Sequence, residues 1–277
     1  MEEPDQVPID LYTDGAFLAS FVGIREREYY ANPAEQLEAG LAYLKRFCSN
    51  KNTHWIYHLP RPDYSLTPEA SGLGCTIQWP EDATPYPKKA IQESEDIDKL
   101  QVPDPTRDGL MPFVLETIEY MKKKLKGTEY YNLIGPQSLR GAPTLAAEVR
   151  GIEEFMVDIH VNKDLAHKLL RICTDTIIEL AKAMEAIIEE NFWFTINDDI
   201  SGFMSPKQFE EFSLPYNRKI FEEFAKYPLN TYHNNSDTNH ILDGISKLGA
   251  RIFSSGPPES LDLALAKKRL YGLSLIH

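Results

Sequence analysis

The stretch "NFWFTINDDISGFMSPKQFEEFSLPYNRKIFEEFAKYPLNTYHNNSDTNHIL", residues 191–242, decides the fold. Its first six residues are an apolar run that stops at Asn197-Asp198-Asp199. Ser205, Pro206 and Gln208 then spell a helix start: a capping hydroxyl, a proline in the first turn, and an amide placed to complete the capping box. Pro215 is expected to kink or restart that helix before "YNRKIFEEFAKY". A second strand, "LNTY", delivers His233, and the polar turn Asn234-Asn235-Ser236-Asp237 leads into the next helix. Strands alternating with helices through short connections, each strand apolar on both faces, make an α/β fold with a parallel sheet.

The pattern extends both ways. Downstream, "NHILDGISKL" is a helix ended by Gly249, "ARIF" a strand, "SLDLALAKKRL" a helix and "YGLSLI" a last strand. Upstream, "DGLMPFVLETIEYMKKKLKG" is a helix ended by Gly127, and "EYYNLIG" (129–135) reads as a strand. Helices are expected near 143–150, 152–160 and 163–190. Residues 1–106 are less regular: a helix over 33–47 capped by Asn32, a strand in "HWIYHL" (54–59), and a Pro-rich excursion whose "GCTIQW" forms one arm of a hairpin. Neither GxGxxG nor GxxxxGK[ST] follows a strand, so dinucleotide and P-loop folds lack their signature. The predicted architecture is one domain, 1–277, built as a TIM (β/α)8 barrel with regular βα units from residue 107. About six barrel-type strands are legible against the eight that closure requires, which reads as a barrel lacking its C-terminal βα units.

Composition narrows the function. The chain has 277 residues, 42% of them hydrophobic, and a net charge of −13. Such an acidic surface repels phosphate backbones, and "KKKLK" (122–126) sits where cations suit the end of a helix, so nucleic acid is not an expected partner. No apolar run approaches the ~18 residues of a membrane span. Three scattered cysteines and an acidic, proline-broken N-terminus predict reduced thiols and a cytoplasmic protein.

In a barrel, chemistry gathers at the C-terminal ends of the strands. That rule selects Asn197, Asp198 and Asp199 after one strand and His233 with Asn235 after the next. It also selects Ser254, Ser255 and Gly256 after "ARIF", and Gln137 after the strand at 129–135. His233 suits proton transfer or metal ligation. One of Asp198 and Asp199 is expected to act as a base, an electrostatic stabiliser or a metal ligand beside it, while the other shapes the loop. Asn197, Asn235, Gln137 and Ser254 are the expected substrate-binding groups. Asp237 reads as a helix cap, and His240, in the next helical turn, as surface.

These motifs carry a family resemblance. "NDDISGFMSPKQFEEFSLPYNRKIFEEF", followed by "YHNNSDTNHILDGISKLGARIF", resembles the uroporphyrinogen decarboxylase (URO-D) superfamily. "GAPTLAAEVRG" (141–151) looks like that superfamily's "(A/G)P.TLA…RG" segment, and "WPEDATPYPKKAIQESEDIDKLQVPDPTRDGLMP" looks like its approach to the barrel. The resemblance implies a (β/α)8 barrel and one of two activities. One branch decarboxylates uroporphyrinogen, in porphyrin biosynthesis, without a cofactor. The other moves methyl groups to or from corrinoid proteins, generally with zinc.

The decarboxylase branch carries an Arg-rich N-terminal signature that grips carboxylates, whereas this chain reads "PIDLYTDGAFLASFVGIREREYY" there. The thiol-activating methyltransferases carry His-x-Cys where this chain has His233-Asn234-Asn235. Zinc held by thiolates is therefore not expected; zinc on His233 with Asp198 or Asp199 is the form the resemblance leaves. The expectation is a methyltransferase acting on a small molecule, served by a partner corrinoid protein, with a homodimer left open. A decarboxylase is the alternative, with a non-catalytic binding barrel behind it. Arg25, Arg140 and Arg150, near the motif segments, are the arginines to locate.

Overall fold

The computed structural model describes residues 13–47, 60–189, 192–257 and 260–276. Three helices come first. The Asp14 carboxylate accepts the Phe17 N–H at 2.8 Å and caps α1 (Gly15–Val22), which Gly23 closes at φ +79°. Helices α2 (Glu26–Ala31) and α3 (Pro33–Phe47) follow, α3 with its predicted bounds. Together they enclose a satellite core of Leu18, Tyr29, Tyr30, Tyr43 and Leu44.

After the short α4 (Pro68–Gly72), "GCTIQW" supplies β1 (Thr76–Gln78), antiparallel to β2 (Tyr86–Lys88), as predicted. Helix α5 (Met111–Leu125) ends on Lys122, Lys123 and Lys124, cations that face the negative end of its dipole. The strand expected at 129–135 is not one. Tyr131–Leu133 is a 3₁₀ turn, and the strand comes later, as β3 (Leu139–Arg140). The alternating apolar residues misled: Leu133 is 49% exposed, and the Tyr131 ring lies under the Lys122 ammonium instead of in a sheet. The strand predicted at 54–59 lies outside the described residues.

The remaining elements alternate as predicted: α6 (Ala142–Arg150), α7 (Ile152–Val161), α8 (Lys163–Ile188), β4 (Thr195–Asn197), α9 (Pro206–Gln208), α10 (Leu214–Glu223), β5 (Thr231–Asn234), α11 (Leu242–Ile245), β6 (Ile252–Ser255), α12 (Leu263–Arg269) and β7 (Ser274–Ile276). Ser205 and Gln208 form the expected capping box. Pro215 leaves its mark upstream. It has no N–H for the carbonyl one turn back, and the chain between α9 and α10 winds as a π-helix, Phe209–Ser213.

Strands β3-β4-β5-β6-β7 form a five-stranded, wholly parallel sheet in chain order, the arrangement of a barrel wall. Register sorts its side chains into rows. Leu139, Ile196, Tyr232 and Phe253 are paired neighbours, each 0% exposed, and pack in one core with Leu145, Leu169, Phe212 and Phe221 of the helical layer. Burying each such side chain contributes roughly 1.5–3 kcal/mol. The next row, on the opposite face, is polar: Arg140, Asn197, His233 and Ser254. Among the described residues no helix is long and apolar enough to cross a membrane.

Candidate active site

The polar row lies at the strand ends. His233 is half-buried, and its Nδ1 lies 2.9 Å from Ser254 Oγ. Burial holds the imidazole below its ordinary 6.5, while the Asp199 charge and a hydrogen bond with Asn235 pull it back up. A neutral imidazole beside a carboxylate is a proton acceptor that stays in use at neutral pH. Asp199 Oδ1 accepts the Asn235 N–H at 2.7 Å, and the Ser236 hydroxyl donates to the Asp199 carbonyl at 2.9 Å, so the two strand-end loops hold each other. Asn197 Nδ2 donates to the Leu139 carbonyl at 3.0 Å, which ties β4 to β3.

Asp198 is placed differently from its neighbour. It is 0% exposed, and protein donors surround both of its oxygens. Oδ1 accepts the Thr144 hydroxyl at 2.8 Å and the Thr144 N–H at 3.2 Å. Oδ2 accepts the Ser201 hydroxyl at 2.5 Å, Asn217 Nδ2 at 2.7 Å and the Tyr232 hydroxyl at 3.1 Å. Ser213, which the π-helix brings in, lies 2.7 Å from Ser201. Burial raises the carboxyl above its ordinary value, and these hydrogen bonds work in the opposite direction. A side chain so enclosed fixes α6, the π-helix, α10 and β5 to one point; it does not reach a ligand at the mouth. The expectation that Asp198 does chemistry or binds metal there is corrected to a positioning role.

Gln137 needs the same correction. It is 2% exposed; Oε1 accepts the Tyr64 N–H at 3.0 Å and Nε2 donates to the Ser138 carbonyl at 3.0 Å, so its amide braces a loop. Asp237 Oδ1 accepts the Asn239 N–H at 3.0 Å, supporting the turn into the next helix. His240 is exposed, as expected, with Nε2 2.9 Å from the Met204 carbonyl.

The loop Gln137 braces contains a pair the sequence reading missed. The Pro60 carbonyl accepts the Gly135 N–H at 2.9 Å, so the chain leaving residue 60 runs beside the approach to β3. There the Arg61 guanidinium donates to Ser138 Oγ at 2.8 Å and lies 3.7 Å from Asp63. Asp63 also accepts the Tyr29 hydroxyl at 3.2 Å, and burial raises its carboxyl. Ser65, two residues on, has φ +56°, a left-handed conformation that costs a non-glycine residue about 1–2 kcal/mol. The strand-end rule applied after "HWIYHL" would have found "PRPD". Ser65→Gly should raise unfolding stability by about 0.5–1 kcal/mol in urea denaturation, and an unchanged midpoint would remove the strain argument.

The arginines part company. Arg25 is an exposed partner of Glu28 and Glu81, and Arg150 ties α6 to α7 through Asp158 at 2.9 Å. Arg140 alone of the three lies in the polar row, with Nη2 2.5 Å from Glu148 Oε1. Zinc was expected on His233 with Asp198 or Asp199. Asp198 is committed to protein donors, which leaves His233 and Asp199. Among the described residues no group of three or more His, Cys, Asp or Glu side chains is placed to hold a metal ion. Protein zinc sites use three or four such ligands, so these residues do not fit the ion.

A parallel barrel wall with a polar row at its strand ends defines a TIM-barrel scaffold. The family model for uroporphyrinogen decarboxylase (URO-D) matches residues 61–273, and the chain belongs to that family. It is 26% identical over 199 residues to a methylated-thiol–coenzyme M methyltransferase of Methanosarcina mazei, covering 70% of this chain and 51% of that protein. It is also 26% identical over 218 residues to a uroporphyrinogen decarboxylase of Psychromonas ingrahamii, covering 75% of this chain and 58% of that protein. The chain thus spans about half the length of the curated relatives it matches. A solved methyltransferase from Methanosarcina mazei has the same fold, with a TM-score of 0.78 at 21% identity, covering 100% of this chain and 79% of that one.

Proposed function

We propose that the chain is a methyltransferase of the URO-D family that transfers a methyl group between a small methylated substrate and a corrinoid carried by a partner protein. The observation that carries this reading is the charge of the mouth. Near it two largely buried arginines are already engaged by protein carboxylates, Arg61 with Asp63 and Arg140 with Glu148, and Asp199 lies in the strand-end loop. A uroporphyrinogen, with its many carboxylates, needs guanidinium groups directed at the ligand. A small neutral or cationic substrate meets no such repulsion. Asp199, His233, Ser254 and Asn235 are the residues proposed to hold the substrate and manage its proton. No metal step enters this reading.

The test offers the purified protein methylcobalamin with a thiol, and separately uroporphyrinogen. Thiol-dependent loss of the methyl–cobalt absorption, without formation of less carboxylated porphyrinogens, is the expected result. The opposite pair would assign decarboxylation, the reading favoured by the uroporphyrinogen decarboxylase relatives. Turnover of neither would return the binding barrel.

A further inference from the structure

Beside the polar row, three charged side chains are buried together. Glu69, in α4, is 0% exposed; its Oε1 accepts the Arg140 N–H at 2.8 Å. The Arg140 guanidinium turns to Glu148, in α6, and both side chains are largely covered, at 19% and 15% exposure. The one guanidinium is thus paired with Glu148 and acts on Glu69 only through its charge. Three of their polar atoms, Glu69 Oε2, Arg140 Nε and Glu148 Oε2, are buried without a hydrogen-bond partner among the described residues.

A buried carboxylate with an idle oxygen is expensive, and two of them against one cation leave an excess negative charge. Binding a proton removes that excess and turns one acceptor into a donor. We infer that Glu69, Arg140 and Glu148 form a proton-holding site beside the strand-end row, with Glu148 the carboxyl that takes up and releases the proton. Burial raises the Glu69 carboxyl too, but its Oε1 accepts a backbone N–H; Glu148 is singled out because the Glu69 and Asp199 charges both press on it, against its pairing with Arg140.

Every charged group around Glu148 bears on this. Arg140 opposes protonation; Glu69 and the Asp199 charge favour it. The thiols of Cys75 and Cys173 face it from the loop before β1 and from α8, both kept neutral by burial, with the Glu148 charge adding to the effect. Burial is the largest influence and puts the Glu148 carboxyl at about 7. Asp199 in turn acts on His233, so a proton at Glu148 is electrostatically linked to the imidazole across the row. The site does not depend on which reaction the mouth performs.

The test is a pH titration of the resting protein, following protonated carboxyls by infrared absorption. The wild-type titration should contain a buried-carboxyl component with a midpoint at about 7, and Glu148→Gln should remove that component. Glu69→Gln should retain that signal with its midpoint lowered by roughly one pH unit, because a neighbouring negative charge is gone. A carboxyl titration left unchanged by Glu148→Gln, or no carboxyl titrating between about pH 5 and 9, overturns the inference. If Glu148→Gln does not fold, Glu69→Gln decides: a lowered midpoint upholds the inference, and an unmoved one overturns it.

Discussion

Asp198→Ala is expected to cost about 3–5 kcal/mol of folding stability, because several buried donors lose their common acceptor at about 1–3 kcal/mol apiece and relax only in part. The loss exceeds that of one contact because the Thr144, Ser201, Asn217 and Tyr232 donors converge on a single carboxylate. Without it each becomes a buried group facing a void, and unmet buried donors cost about 1–3 kcal/mol apiece when they cannot relax. Neighbouring backbone leaves little room for repair. A Cβ at Gly141 would lie 2.4 Å from the Asp198 Cβ, so β3 and β4 already meet as closely as side-chain-free backbone allows.

Against a typical total of about 5–15 kcal/mol, such a loss moves the urea midpoint far down. Asp198→Asn should fall between, since it keeps one acceptor but adds a donor where only donors surround it. The positioning role makes a second demand. The Asp198 N–H donates to the His233 carbonyl at 3.0 Å, so Asn should also lower kcat/KM in whichever assay reports activity, without displacing the pH optimum set by His233. A loss under about 1 kcal/mol for Asp198→Ala would remove the argument that this carboxylate braces the mouth.

Much of this architecture was legible in the sequence. The capping box at Ser205, the cap-and-proline start of α3 and the apolar repeat of α8 are local signals, set by residues within one or two turns, and the structure follows them. The order of strands followed from βα alternation. Partnering was less legible. Asp198 and Asp199 are chemically identical neighbours at a strand end, and only the fold determines that one is enclosed by α6, the π-helix and α10 while the other meets Asn235. Gln137 looked like a ligand-binding amide because nothing in sequence placed Tyr64 and Ser65 beside it. Glu148 lay unremarked inside "TLAAEVRG", since a glutamate in a helix is ordinarily a solvated one. Its importance comes from the long-range approach of Arg140 and Glu69. The false strand at 129–135 failed for a related reason: "EYYNLIG" has the apolar content of a buried strand, but its Tyr131 ring lies against the Lys122 ammonium in the last turn of α5.

Glu148 gives the second large effect, on the pH dependence of stability. Its carboxyl sits at about 7 in the folded protein and near 4.5 when unfolded, so the folded state binds the proton more tightly. The stabilisation is therefore whole below 4.5 and is lost as pH rises through 7. At ~1.36 kcal/mol per pH unit of separation the change approaches about 3 kcal/mol, an upper figure because neighbouring charges relax. Wild-type stability should fall between about pH 5 and 8, the span in which many proteins are most stable. Glu148→Gln keeps the shape and the hydrogen-bonding reach but cannot ionise, so its stability should lie flatter across the same span. The two curves should converge at low pH, where the wild-type carboxyl is neutral as well, and separate toward high pH with the variant the more stable. Urea unfolding at closely spaced pH values measures both curves. Parallel curves would mean that Arg140 holds Glu148 ionised throughout, its favourable charge outweighing the burial that pushes the carboxyl up.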